Sequence, residues 1–324
     1  MPSSPISALL VPGMRSEFAL AYQPRYSGIA AAIGDVAWLD ATSDKLLEIY
    51  GIIDAALHPV RWDPGRTIPT SSISGTNFTI TNRDFGRRVK LPRNVDDEQT
   101  GNVVAVARML GQRWGLIPER IFYQYIQTGT DADLLPAVPN SADGNALYLT
   151  TTRYGSSSGN VVTATGTSTT QTVITDLYSG VRRFAEFQDQ ESQPFFDVAA
   201  IKGGITVFYG TSITEVMEAV AVQTLTHSVV SSTGAAVTNL VMAGSVKWNF
   251  IPSQRITNTR LYLFLRNLPN ELRPVVRQVR KGMTEAQGNW ETSDYTRDTG
   301  ETYFQFHSRE GWGSPNARGT IRIS

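Results

Sequence analysis

The feature that most limits what this chain can fold into is a long stretch of paired extended runs around residues 55–91. Residues 57–62 read as extended, 63–75 are rich in Pro, Gly, Ser and Thr, and 77–81 alternate around Phe78 and Ile80. This pattern predicts a long hairpin with a loose tip. A lone two-stranded hairpin is marginal in water because it buries too little of its own surface. It therefore leans on something else, either as an edge hairpin on its own domain or against another molecule.

The segment after the hairpin is helical. Acidic and capping residues at 96–100 precede Val103, Val104, Ala107, Leu110 and Trp114 at helical spacing, with Arg108 and Arg113 between them. Pro118 opens a second piece carrying Ile121, Phe122, Tyr125 and Ile126, and Gly129 ends it. The expectation is one long helix over 96–129, broken once between Gly115 and Pro118. Before the hairpin, residues 18–50 mix Ala-rich stretches with Pro24, Gly28 and Gly34, which predicts an arm of short helices. Leu46, Leu47 and Tyr50 fall at helical spacing ahead of Gly51, a further short helix.

Residues 131–170 have little periodicity and end in a Ser/Thr/Gly-rich loop. Asp176 is placed to cap a helix bearing Leu177, Val181, Phe184 and Ala185. Residues 205–209 form a strand candidate, and Ser212 with Glu215 has capping-box spacing before Val216, Val220 and Leu225. Beyond that, 240–242, 246–250, 261–265, 303–306 and 320–323 read as strands. No repeat of fixed period and no heptads occur, so the fold class is mixed α+β.

With 324 residues the chain buries a sizeable core without covalent staples, and it has no cysteine to make any. Thiolate metal sites and cysteine nucleophiles are excluded with the disulfides. Lys plus Arg and Asp plus Glu balance at 29 each, so no overall field draws the chain onto nucleic acid or anionic lipid. The charged fraction of 18% lies below the ~25% of ordinary soluble domains, which suggests surface committed to contacts. At the start of the chain two prolines, Pro2 and Pro5, and no basic residue precede a short apolar run at 8–11, unlike a secretory signal. Later apolar runs fall far short of the ~18 residues a membrane span needs. The chain reads as soluble, with no membrane partner.

Catalytic patterns are sparse. Gly155, Ser157 and Gly159 match the G-x-S-x-G turn of a serine hydrolase, but in a Ser/Gly-rich run lacking the strand before and helix after that expose such a serine. His58, His227 and His307 are scattered, without zinc-site spacing. Asp131 and Asp133 form a dyad with no further oxygen ligands, since Leu134 and Pro136 come next. There is no phosphate-binding loop, and no cofactor is predicted. Basic residues cluster at Arg83, Arg87, Arg88 and Lys90, and again at Arg273, Arg277, Arg280 and Lys281. Nearby Asp84 and Glu271 and the neutral total favour protein contacts for both over phosphate.

Residues 77–91, then 96–129 with the core Ile117-Pro118-Glu119-Arg120-Ile121-Phe122 and the ending Ile126-Gln127-Thr128-Gly129, resemble the major head subunits of Mu-type phages. The likeness continues through Asp143-Gly144-Asn145-Ala146-Leu147-Tyr148 and resumes at 207–220. It departs after the Asp-Gly turn, where family members often carry a histidine and this chain has Arg153 and Tyr154. The resemblance implies the Hong Kong 97-type capsid fold. On that reading 1–50 is an N-terminal arm and 51–93 an E-loop lying across a neighbouring subunit. Residues 94–198 would be the P domain with its spine helix at 96–129, 199–290 the A domain, and 291–324 a return segment completing the P domain.

The implied function is that of a major capsid protein, not an enzyme. It would assemble with itself into hexamers and pentamers, forming an icosahedral shell around phage double-stranded DNA in the virion. Assembly would take place in the host cytoplasm. Scaffold, portal and decoration proteins are the other implied partners, and DNA would meet the inner face without sequence specificity. Arg61, Arg66, Arg83, Arg87, Arg88 and Lys90 are the expected inter-subunit contacts. The alternatives are an encapsulin-type compartment shell or another phage structural protein, a hydrolase using Ser157, and a carbohydrate-binding β-module. The last fits the aromatic and Thr content but not the helix over 96–129.

Overall fold

The computed structural model describes residues 5–45, 47–53, 75–92, 100–127, 141–153, 159–166, 168–189, 192–226, 229–230, 236–237, 246–288, 294 and 301–324. It opens on a continuous 29-residue helix, α1 (Pro5–Ile33), where the sequence predicts an interrupted arm. A proline inside a helix costs about 3 kcal/mol, and burying one large apolar side chain returns about 1.5–3 kcal/mol. Met14 and Phe18 on α1 are both buried against Ala107, Trp114 and Phe306, so packing outweighs Pro24. Gly34 ends the helix, its N–H bonded to the Ala30 carbonyl at 2.8 Å.

Strand β1 (Ala37–Thr42) comes next. Then come β2 (Leu47–Ile53) and β3 (Gly75–Thr81), paired antiparallel from Leu47 with Thr81 to Ile53 with Gly75. The short helix expected at 44–50 is therefore wrong. Its residues are opposed by a strand some thirty residues later, with Tyr50 across from Phe78, and local spacing carries no trace of that partner. The extended run at 77–81 is found in β3, but its partner is 47–53; the predicted first arm, 57–62, and the tip residues 63–74 lie outside the described residues.

After β4 (Arg83–Pro92) the predicted broken helix appears as α2 (Thr100–Gly115) and α3 (Ile117–Gln127), parted at Leu116 with Pro118 in the first turn of α3. Next come β5 (Val161–Val162) and α4 (Thr170–Glu186). Thr169 caps α4 through the Thr172 N–H, so Asp176 is not the cap. Asp176 sits buried within the helix and accepts the backbone N–H groups of Thr165 and Gly166, pinning the preceding loop. The chain continues through α5 (Val198–Gly203), β6 (Ile205–Gly210), α6 (Thr214–Thr226) and a two-stranded hairpin of β7 (Val229–Val230) with β8 (Ala236–Val237). It closes with β9 (Trp248–Ser253), β10 (Leu261–Leu265), β11 (Val275–Gly288), β12 (Glu301–Gly313) and β13 (Thr320–Ile323). The class is α+β.

Two sheets organise these elements. The first, in order β5-β13-β10-β6-β9, is the middle of a sandwich. β6 and β10 are buried along their whole length, as continuous apolar strands must be when both sheet faces are covered. Leu261, Leu263 and Leu265 point to one core with Leu177, Phe184, Met217 and Val220 of α4 and α6. Tyr262 and Phe264 point to the other, with Ile121, Phe122 and Ile126 of α3.

The second sheet, β1-β11-β12-β4, is a long ribbon. β11 has 14 residues and spans about 45 Å at ~3.3 Å per residue. Near its start it is held by β1, parallel, and by a small core of Ala41, Phe78, Ile80 and Val276. α1 and α2 cover one face around Phe306, whose ring stacks on Phe18 at 4.0 Å. The two helices approach closely because Gly111 and Gly115 leave room for the α1 backbone at Phe18 and Tyr22, where any Cβ would clash.

Candidate functional site

Among the described residues β4 is an edge strand: β12 pairs with it on one side, from Glu301 opposite Pro92 to Glu310 opposite Arg83. Strand alternation splits the basic cluster read from the sequence. Arg83 and Arg87 share a face with Phe85 and Val89, the face toward α2. Arg88 and Lys90 lie on the opposite face. There the Arg88 guanidinium donates to Gln305 Oε1 at 2.8 and 3.2 Å and sits 4.4 Å over the Tyr303 ring. On the same face Arg309 grips Asp84 through two bonds of 2.5 and 2.6 Å, and His307 Nε2 lies 3.0 Å from the same carboxylate. The hydrogen bonds from Arg309 hold the Asp84 carboxyl below its ordinary value. Arg61 and Arg66 lie outside the described residues.

Between β4 and α2 runs a groove of about 780 Å³. Phe85, Met109 and Trp114 give it an apolar lining, and Arg87, Arg113 and Arg120 outnumber the carboxylate there, Asp84, so that it is cationic. Met109 is 55% exposed, an unusual state for a large apolar side chain beside a cleft. An edge strand next to an apolar, cationic groove suits an extended segment with apolar and acidic side chains. Sequence reading placed Trp114 and Arg113 on a helix but did not join them to Arg87. The signal that α2 carries Met109 outward was present but indistinct among its other apolar residues.

The second basic cluster is a correction. Arg273 donates to the carbonyls of Gly34 at 2.6 Å, Ala37 at 3.2 Å and Leu268 at 3.1 Å, tying down the end of α1. Arg277 is buried and paired with the buried Glu310, its Nε at 2.6 Å from Oε2, and it also donates to the Tyr26 hydroxyl at 3.0 Å. Burial disfavours the Arg277 charge, but Glu310 outweighs that and raises its pKa. Burial first, and then its hydrogen bond to Asp40, push the Tyr26 hydroxyl up to about 12. These arginines serve the fold, because each finds partners far away in sequence. Arg280 and Lys281 are exposed.

The loop after 141 is held by Arg153, which is buried and bonds both oxygens of Asp143 at 2.6 and 2.7 Å and the carbonyls of Ala146 and Leu147. Asn160 joins this knot to the Leu147, Ala317 and Thr320 carbonyls. Burial raises the Asp143 pKa, yet the Arg153 bonds win and leave it lowered. Of the hydrolase-like triplet, Gly155 and Ser157 lie outside the described residues, as do His58, His227, Asp131 and Asp133. Gly159 has φ of +63° and its Cβ space is filled by the Leu149 and Thr151 carbonyls. It thus serves a tight turn into β5, whereas a nucleophile turn leads into a helix. Among the described residues no three His, Asp or Glu side chains gather as a metal site, and no helix is long and apolar enough to cross a membrane.

No protein-family model matches the sequence, and no curated protein matches it. Solved structures do. The mature capsid of bacteriophage PhiM1 aligns over 90% of this chain and 85% of its own, with TM-score 0.55 and 9% identity. A virus-like particle from Pyrococcus furiosus aligns over 95% of this chain and 98% of its own, at 0.52 and 8%. The capsid of an empty GTA particle aligns over 91% and 89%, at 0.53 and 9%. These neighbours are structural shell proteins, not enzymes, and at such identities the likeness is one of fold.

Proposed function

We propose, from the premise that the chain has the Hong Kong 97-type capsid fold, that it is the major capsid subunit of a tailed phage of the Mu type. The observation that carries this is alignment of nearly the whole chain with subunits of closed particles. A match confined to one sheet would fit many functions. On this reading the subunits form hexamers and pentamers around double-stranded DNA in the virion, after assembly in the host cytoplasm. Scaffold, portal and decoration proteins would be the remaining partners.

In this reading residues 51–93 form the E-loop, 1–50 the arm, 94–198 with 291–324 the P domain, and 199–290 the A domain. The hairpin β2–β3 reaches a neighbouring subunit, so the surface it leaves bare is covered in trans. Ile49 on β2 is 61% exposed and Met109 beside the groove 55%, surfaces whose burial between copies is favourable. Arg83, Arg87, Arg88 and Lys90, with Arg61 and Arg66, would meet neighbouring carboxylates and set register more than they add affinity.

Electron microscopy of the purified chain across protein concentration tests this. The expected result is closed shells or rings of five and six subunits; monomer at every concentration, with and without co-expressed phage assembly proteins, would overturn it. A second reading, an encapsulin-type compartment shell, draws support from the virus-like particle, which aligns over 98% of its own chain. Nuclease-protected DNA inside the shells would favour the phage reading, and enclosed protein without DNA the compartment.

A further inference from the structure

The arginines that are tied into the fold by ion pairs each meet a carboxylate: Glu17 for Arg108, Asp143 for Arg153, Glu186 for Arg183, Glu119 for Arg255, Asp35 for Arg266, Glu310 for Arg277 and Asp84 for Arg309. Arg322 is also held within the fold, but against tyrosines and another arginine. It lies on β13 opposite Tyr262 of β10, half-buried, with its guanidinium carbon 5.2 Å from the centre of the Tyr148 ring. Its Nε is buried and has no hydrogen-bond partner. Its strongest charged neighbour is another arginine, Arg260, which is half-buried too and shares the Tyr262 hydroxyl with Asn258. Burial first, and then the Arg260 charge, hold the Arg322 guanidinium below its ordinary value.

We infer that Arg260 and Arg322 form a carboxylate-binding cleft that is completed by an acidic side chain from a second copy of this chain. Two like charges held together with a buried, unbonded N–H are unfavourable in an isolated subunit, and an arriving carboxylate reverses each of those costs. The tyrosine ring holds the guanidinium plane fixed, which suits two-pronged recognition of a planar carboxylate. The chain also supplies the complement. It is neutral overall, and Glu215 and Glu218 on α6 and Glu271 stand exposed with no ion pair among the described residues. A half-buried cleft favours a single side chain over the continuous backbone of a nucleic acid, which is met by exposed basic surface. The inference rests on the shell reading.

Sedimentation velocity over a range of protein concentrations, with thermal melting of the dissociated chain, tests it on wild type, Arg322→Met and the double variant Arg260→Glu with Arg322→Glu. The double variant is expected to raise the concentration for assembly at least tenfold, and Glu215→Lys, Glu218→Lys or Glu271→Lys in that background to restore it. Arg322→Met, which removes the repulsion but keeps the stem, is expected to weaken assembly while raising the melting midpoint by about 2 °C. Unchanged assembly in both variants of a wild type that forms shells overturns this inference alone. So do normal shells that have lost only DNA retention, since the cleft would then take phosphate. A wild-type chain that never associates overturns the shell reading and this inference with it.

Discussion

The sandwich around β10 and the ribbon of β11, β12 and β4 are made from one chain but solve burial differently. In the sandwich both faces of the sheet are covered by helices of the same molecule, and β10 is buried from Leu261 to Leu265. In the ribbon one face packs on α1 and α2, while the other carries Asp84, Arg88, His307 and Arg309 in small polar groupings. Among the described residues β4 leaves an unpaired edge, and β2 exposes Ile49. The first region is covered within the subunit; on the proposed shell reading, a neighbour finishes the second.

Substitutions can break this contrast. Two effects are large. In the sandwich, Leu263→Ala should cost the dissociated chain about 2–5 kcal/mol, read by denaturant unfolding, because its site is fully buried. At the foot of the ribbon, Glu310→Gln leaves the buried Arg277 with only the exposed Asp40, 3.9 Å away, as counter-charge among the described residues. It should cost a similar amount, about 3–5 kcal/mol, while replacing both residues by apolar ones of like volume should cost far less.

Smaller is the acid response of the Asp143 knot. A carboxyl whose folded pKa is lowered contributes stability that is fully present above the ordinary aspartate value near ~4 and is lost as pH falls through the lowered folded value. Asp143→Asn should therefore cost about 2 kcal/mol at neutral pH, and the gap from wild type should close progressively below about pH 4. Least of all, Arg87→Glu with Arg88→Glu should leave the dissociated chain within about 0.5 kcal/mol of wild type, since both side chains are exposed. The same pair should produce misassembled or fewer particles by electron microscopy. Normal particles would remove these residues from the interface.

How far the sequence revealed each region tracks the same divide. Where local chemistry decides, the reading held: Pro118 marked the break between α2 and α3, and the apolar run at 261–265 became β10. Where distant residues decide, it failed. Pro24 and Gly28 signalled interruption, but α1 is carried through by Phe18 meeting Phe306, nearly three hundred residues away. Residues 47–50 looked helical until β3 supplied the opposing strand. Arg273 and Arg277 read as contacts to another protein because their partners, the Gly34 carbonyl and Glu310, lie on other elements of this chain. The groove was half legible: Arg87 was named from its cluster, while Met109 and Arg113 join it only once α2 lies beside β4.

The most direct test of the central contrast is hydrogen exchange measured on the same chain dissociated and assembled. Backbone amides of β2, β3, β4 and the outer halves of β11 and β12 should gain strong protection on assembly, and those of β6, β10 and β13 should already be protected and change little. Equal protection of the ribbon in both states would contradict the account, because it would mean the ribbon is finished within the subunit and needs no neighbour.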